Sequence, residues 1–282
     1  MIFHRSSAGV FVPDGLPTGA ALARTTHLGI GAHADDLEFM ALPGIIACHG
    51  HTAEWFGGVT CTDGAGSVRT GAFAGMDEAE LRAVRRREQD LAAQIGGYGA
   101  MVQLGYTSAE ARHALHPALR ADLLVILKAA RPRVVYTHNL ADKHETHVAV
   151  AVAALTAIRA LPSAERPEAV YGCEVWRGLD WLPDADKVRQ NVSGHEALAA
   201  ALNGAFRSQI EGGKRYDLGV SGRREANATF ADPRAADDAS QVCLAMDLTP
   251  LAQDDALDLL AYVDGYIERF REDVRTKLRA YL

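Results

Sequence analysis

Short apolar runs and longer stretches with apolar positions three and four apart take turns between residues 27 and 160. His27-Leu28-Gly29-Ile30-Gly31-Ala32 is an apolar run ending in small residues, the pattern of a buried strand that enters a tight turn. Over 36–48, Leu37, Met40, Ala41, Ile45 and Cys48 trace a helical face, interrupted by Pro43, a residue suited to a first turn or a kink. Residues 53–61 read as a second strand, followed by a polar loop over 62–67. Asp77 is placed to cap a helix whose inward face is Leu81, Val84, Leu91, Ala92 and Ile95, and Gly96-Gly97 stops it. The pattern continues with a strand at 100–104, a helix opened by Pro117 and running to 130, a strand at 133–137 and a helix over 146–160.

Strand and helix alternating at this spacing predict an α/β fold, Rossmann-like, with a mostly parallel sheet and helices on both faces. Right-handed crossovers put the C-terminal ends of the strands along one edge, where ligands of open sheets bind. The first 25 residues, with Pro13, Gly15, Pro17 and Gly19, read as a loose lead-in. Beyond Pro162 the pattern is less regular: 170–175 and 241–246 are further strand candidates, and 249–282 ends in a long amphipathic helix. With no internal repeat and no low-complexity linker, one domain over 1–282 is expected, its C-terminal third (about 162–282) elaborated.

Composition narrows the function classes. The 282 residues carry a net charge of −7, so nucleic acid is not expected as a partner, because phosphate binding needs a basic footprint. At 48% hydrophobic and 23% charged, the chain reads as a globular protein that can bury a large core. Cys48, Cys61, Cys173 and Cys243 form no C-x-x-C pair, which fits free thiols in a cytoplasmic protein. The longest apolar stretch, 148–158, is too short to span a bilayer, and no membrane association is expected.

Polar clusters follow two of the strands. After the first comes Ala32-His33-Ala34-Asp35-Asp36, and after the fourth comes Tyr136-Thr137-His138-Asn139-Leu140-Ala141-Asp142-Lys143-His144-Glu145-Thr146-His147. Taken singly, each residue has an ordinary explanation, such as helix capping for Asp36. Together they offer a His₂Asp set, His33, Asp36 and His147, of the kind that holds zinc with an open position for water. Asp35 is then free to take a proton, and His144, one turn before His147, can aim at the same space.

His33-Ala34-Asp35-Asp36 with His144-x-x-His147 downstream resembles the PIG-L/LmbE-like family of zinc-dependent N-deacetylases, of the bacillithiol- and mycothiol-pathway type. The similarity extends through Thr62-Asp63-Gly64, the helix at 80–88 and Ser208-Gln209, covering roughly 27–210. The resemblance implies that His33, Asp36 and His147 bind one Zn²⁺ per chain or another divalent transition metal. It further implies Asp35 as general base, His144 as the residue that stabilises the oxyanion or protonates the leaving amine, and Arg85 as a substrate contact. Thr146 stands where the family usually has an aspartate, the carboxylate that orients a histidine.

Farther on, Lys214-Arg215 and Arg223-Arg224 are two basic pairs in an acidic chain, within a stretch too Gly-rich to suggest a regular helix. They suit a grip on a phosphate or on sugar hydroxyls; an exposed solvated loop is the competing reading. Trp176 and Trp181 are open to either sugar stacking or core packing. The expected activity is removal of an acetyl group from an N-acetylglucosaminyl sugar or glycoside. The alternatives are a zinc-dependent hydratase of an unsaturated dicarboxylic acid, which relatives of the family include, and a non-catalytic carbohydrate- or metal-binding relative. Aglycone, resident metal and any homo-oligomeric assembly are left open.

Overall fold

The computed structural model describes residues 1–113 and 116–282. In chain order the elements are β1 (Gly9–Phe11), α1 (Thr18–Ala23), β2 (His27–Gly31), α2 (Asp36–Met40), α3 (Leu42–Cys48), β3 (Phe56–Thr62), α4 (Glu78–Gly96), β4 (Ala100–Tyr106), α5 (Ser108–Arg112), α6 (Pro117–Ala130), β5 (Val134–His138) and α7 (Glu145–Arg159). Then follow β6 (Ala169–Cys173), β7 (Lys187–Asn191), α8 (Glu196–Gly204), α9 (Arg207–Ile210), α10 (Tyr216–Thr229), β8 (Val242–Asp247), α11 (Thr249–Gln253) and α12 (Leu259–Arg279).

These strands form one sheet in the order β1-β4-β3-β2-β5-β6-β8-β7. The central five run parallel, and β1, β8 and β7 add to the edges antiparallel. The expected Rossmann-like, mostly parallel sheet is therefore what forms. Two apolar layers cover it. Leu28, Ile30 and Val135 pack with Leu123 of α6 and Val150 and Leu155 of α7, while Leu37, Met40 and Ile45 pack with Met101 and Tyr98 on the opposite face. Leu37 sits over glycines. A Cβ added at Gly29, Gly31 or Gly58 would come within 2.9, 3.2 or 2.8 Å of its methyl groups. The bare backbone of β2 and β3 thus lets α2 lie directly on the sheet.

Several elements differ from the sequence reading. The lead-in is ordered: β1 pairs with β4 through Gly9 and Gln103, and α1 buries Ala21 and Leu22. Three strand residues are too few for alternation to register. The helix expected over 36–48 breaks at Ala41 into α2 and α3, with Pro43 in the first turn of α3, where its missing N–H costs nothing. The polar edge strand β7 has no apolar face to announce it. The basic stretch expected to be irregular is α10, a regular 14-residue helix. Its Gly219 and Gly222 face open space, and such positions cost only about 1 kcal/mol each relative to alanine.

Beneath α2, the Glu38 carboxylate is fully buried and accepts hydrogen bonds from Gln89 Nε2 (2.9 Å) and Tyr98 Oη (2.8 Å). Its second oxygen has no partner. Burial pushes the carboxyl up to about 7, against the lowering effect of those two bonds. The folded protein therefore keeps a proton that the unfolded chain releases above about 4.5, so Glu38 costs stability progressively as pH rises between those values. Glu38→Gln is expected to stabilise the protein at about pH 8 relative to about pH 4, by on the order of 2–3 kcal/mol. Urea unfolding of both proteins at the two pH values measures it; an equal effect at both would remove Glu38 ionisation from the account.

Candidate metal and catalytic site

β2 and β5 are neighbours, yet the helices that follow them leave for opposite faces of the sheet. Their C-terminal ends open a crevice, the place where open α/β sheets bind ligands. From the β2 side, the loop carries His33 and Asp35 into it. Asp36 Oδ2 accepts from the His33 backbone N–H at 2.6 Å and closes the turn. Asp35 itself is left-handed, with φ 93° and ψ −28°, a conformation that costs a non-glycine residue about 1–3 kcal/mol and clusters at functional sites.

From the β5 side come His138, Asp142, His144 and His147. Asp142 is a hub: it accepts from the backbone N–H of His144 (2.9 Å) and of Trp176 (3.1 Å), and its Oδ2 lies 3.6 Å from His147 Nδ1. His144 caps α7, its Nδ1 accepting from Thr146 N–H at 3.3 Å. The carboxylate missing at Thr146 is thus partly replaced by Asp142, which faces His147 rather than His144.

The donor atoms converge. His33 Nδ1 lies 3.1 Å from His147 Nε2 and 3.3 Å from Asp36 Oδ2, and His147 Nε2 lies 3.4 Å from Asp36 Oδ1. Among the described residues, two groups of three have ligand atoms mutually within 4.8 Å: His33, His144 and His147, and Asp36, His138 and His147. His138 Nε2 already accepts the Ala32 N–H at 2.9 Å, which engages its lone pair, and its ring stacks on His147 at 3.9 Å. It is better placed to wall the site than to ligate.

The electrostatics suit a cation. Burial alone would raise Asp36, but His147 and His138 beside it and its hydrogen bonds hold it well below the usual carboxylate range. Burial drives the His147 imidazole down to about 4, even with Asp36 opposing, so its nitrogen is neutral. An ionised carboxylate and the neutral His147 nitrogen, with a His33 ring nitrogen within 3.3 Å of both residues, fit a divalent ion. Asp35 goes the other way: burial, then the charge of Asp36, raise it well above the ordinary value.

A cavity of about 590 Å³ opens over these groups. His33, Asp35, Asp36, Arg85, His144, Lys214, Arg215 and Arg223 all line it, with His147 fully buried beneath. Not every basic residue is free there. Arg215 is clamped to Asp217 at 2.8 Å, and Arg223 donates to the Val175 carbonyl. Arg224 is a correction to the expected substrate contacts: it is buried away from this cavity and donates to the Glu38 and Phe39 carbonyls at 2.8 and 3.1 Å, tying α10 to α2. Of the two tryptophans, Trp176 lines the cavity and Trp181 packs against the core and Phe270.

Gln209 joins the site without being among the residues expected from sequence. Its Nε2 donates to the Ala34 carbonyl (2.9 Å) and to Asp35 Oδ2, while Ser208 is held by Glu88 through its N–H (2.7 Å) and hydroxyl (2.5 Å). Tyr216 and Phe39 also line the cavity, their rings 5.6 Å apart. The Ser208-Gln209 pair was visible only as family likeness, and nothing in the spacing of residues so distant in sequence links it to Asp35.

Residues 28–158 match the family model PIG-L, described as GlcNAc-PI de-N-acetylase. Among curated protein sequences, none matches this one. Similar solved structures include N,N'-diacetylchitobiose deacetylase from Pyrococcus horikoshii, with 16% identity over 79% of this chain and 84% of that one and a TM-score of 0.57. The 4-carboxy-2-hydroxymuconate hydratase of Pseudomonas putida KT2440 has 18% identity over 79% and 95%, with a TM-score of 0.57. The zinc-inhibited form of teicoplanin deacetylase has 16% identity over 78% and 97%, with a TM-score of 0.55. At these identities the likeness is one of fold. The family match spans both histidine–aspartate segments and the strands that present them, and over residues 28–158 this chain is similar to a PIG-L family domain.

Proposed function

We propose that this protein is a metal-dependent hydrolase that removes the acetyl group from an N-acetylglucosaminyl sugar or glycoside, releasing acetate and a free amine. The observation that carries the reading is the convergence of His33, Asp36 and His147 beside a buried, left-handed Asp35 at the mouth of one large cavity. The family description and the deacetylases among the similar structures support it. Four buried free cysteines fit a cytoplasmic setting as part of the same proposal.

In this reading His33 Nδ1, Asp36 and His147 Nε2 hold one divalent ion, zinc by preference. When bound, it supplies Lewis acidity that polarises a carbonyl and acidifies water. Asp35 accepts the proton of the attacking water, and its raised proton affinity suits that task. Gln209, donating to Oδ2, keeps the carboxyl in one orientation. Burial and the nearby His33 lower His144, so it acts as a neutral imidazole. With Nδ1 engaged by Thr146 N–H, His144 presents Nε2–H to the developing oxyanion, a role worth about 3 kcal/mol. Trp176, Tyr216 and Phe39 offer apolar faces to a sugar ring, and Lys214 and Arg223 hold its remote groups. Arg85, buried next to Asp35 and donating to Ser67 Oγ at 2.7 Å, anchors the wall between base and substrate.

A hydratase is the second reading, favoured by the fold of the Pseudomonas putida enzyme and by the cationic wall of Arg112, Lys214, Arg215 and Arg223, which suits carboxylates. Acetate release separates the two. The zinc-loaded protein, incubated with a panel of N-acetylated sugars, is expected to liberate acetate from at least one. Release from none, with hydration of an unsaturated dicarboxylic acid, would establish the second reading instead.

Elemental analysis is expected to find one metal per chain in the wild type. His147→Ala and Asp36→Asn should lose it, and His138→Ala should retain most of it, since His138 Nε2 serves the Ala32 amide. Full metal in His147→Ala would overturn the ligand set.

Asp35→Asn is expected to keep the metal and to lower turnover by ~10²–10⁴. Asparagine also tolerates the left-handed backbone at this position. Metal loss equal to that of Asp36→Asn would show that the two carboxylates have been assigned the wrong way round.

A further inference from the structure

α12 runs for 21 residues and buries a single side chain, Tyr266. Its N-terminal half is fastened to the body: Tyr262 Oη donates to the Asp247 carbonyl at 2.7 Å, Arg269 Nε pairs with Asp186 at 2.6 Å, and Phe270 meets Trp181 edge to face. A neighbouring face carries a different pattern. Leu260, Ile267 and Val274 recur every seven residues, with Val263 and Phe270 between them, and Tyr281 keeps the spacing in the turn just past the helix. Leu260 is 78% exposed, Ile267 47% and Tyr281 91%, and Leu278, 57% exposed, extends the stripe. Monomeric proteins rarely leave a contiguous apolar strip of this kind uncovered.

The period names the class of occupant. A repeat of seven keeps apolar positions every 3.5 residues, slightly faster than the 3.6 of a straight helix, and such a seam closes only by winding around another helix. The charges name which helix. From Asp258 to Glu268 there are three acids and no base, whereas from Arg269 to Arg279 five bases face two acids. This helix complements itself when reversed, acidic half against basic half, and its backbone dipole favours the same antiparallel sense. A membrane surface fits less well, because an interfacial helix carries a polar face rich in Lys and Arg, and here acids and bases are mixed.

We propose that two copies of this chain associate through α12, antiparallel about a twofold axis near Phe270, where the stripe has its midpoint. Such a contact is isologous and closes at the dimer. It covers Leu260 of each copy with the Val274–Tyr281 end of the other, and it joins the bodies rigidly, because Tyr262 fastens each helix to the end of β8 and Arg269 fastens it to the turn before β7.

Sedimentation velocity of the full chain at micromolar concentration is expected to show a species of twice the 30.2 kDa chain mass. Ile267→Glu combined with Val274→Glu should halve it while leaving the circular dichroism spectrum unchanged. Should that variant fail to fold, Leu260→Ser with Leu278→Ser repeats the test. Orientation is read by oxidative cross-linking. Phe270→Cys should link to its own copy, Leu260→Cys should not, and a mixture of Leu260→Cys with Tyr281→Cys should cross-link. A monomeric wild type, a dimer that survives both double variants, or efficient self-linking of Leu260→Cys would each overturn the proposal. So would a wild type that stays monomeric and instead binds anionic vesicles.

Discussion

Two parallel strands lie side by side while the helices leaving them part to opposite faces, and the candidate site is a consequence of that divergence. β2 and β5 bring His33 with Asp36 and His138 with His147 to within hydrogen-bonding distance of one another across the opening. The local sequence then makes the opening tight. Glycines at 29, 31 and 58 give Leu37 room to settle on the sheet, so the first turn of α2, and Asp36 with it, is pressed against the strand ends. A bulkier strand would lift α2 away and separate the carboxylate from the imidazoles.

Adjacent aspartates respond oppositely to this burial. Asp36 is surrounded by imidazoles, and their attraction overcomes the cost of desolvation; at Asp35, burial together with the charge of Asp36 outweighs the attraction of Arg85. One chain segment thus yields a carboxylate that stays charged and one that holds a proton readily. Splitting two like groups in this way is how enzymes assign separate roles to neighbouring carboxylates. Gln209, reaching in from α9, restrains the second of them, and Glu88 restrains α9 in turn.

The central parallel strands were readable because they are buried on both faces and appear as continuous apolar runs bounded by turn residues. The clusters at their ends were readable because carboxylates and histidines are costly to bury at a strand end without a task. The parts that escaped are those set by contacts distant in sequence. β1 and β7 exist through pairing with β4 and β8, not through their own patterns. α10 forms despite two glycines because Arg224 and Ala228 are buried against the rest of the chain. That same packing withdraws Arg224 from the cavity that Arg223, its neighbour, lines. His138 stood in view within its motif, but its stacking on His147 and its hold on the Ala32 amide arise only when β5 lies against β2.

The backbone at Asp35 adds a consequence for how this protein would change once catalysis stopped mattering. Glycine adopts φ 93° without strain and would also remove a buried carboxyl from beside the charge of Asp36. If Asp35 is the base proposed above, a copy relieved of that reaction would gain stability by exchanging it for glycine, and the residue is held against the interest of the fold. Under the proposed reaction, Asp35 would mark a working enzyme: among descendants of this chain, the ones that have turned into scaffolds or binding proteins should be the more heat-resistant and should carry the smaller residue at this turn.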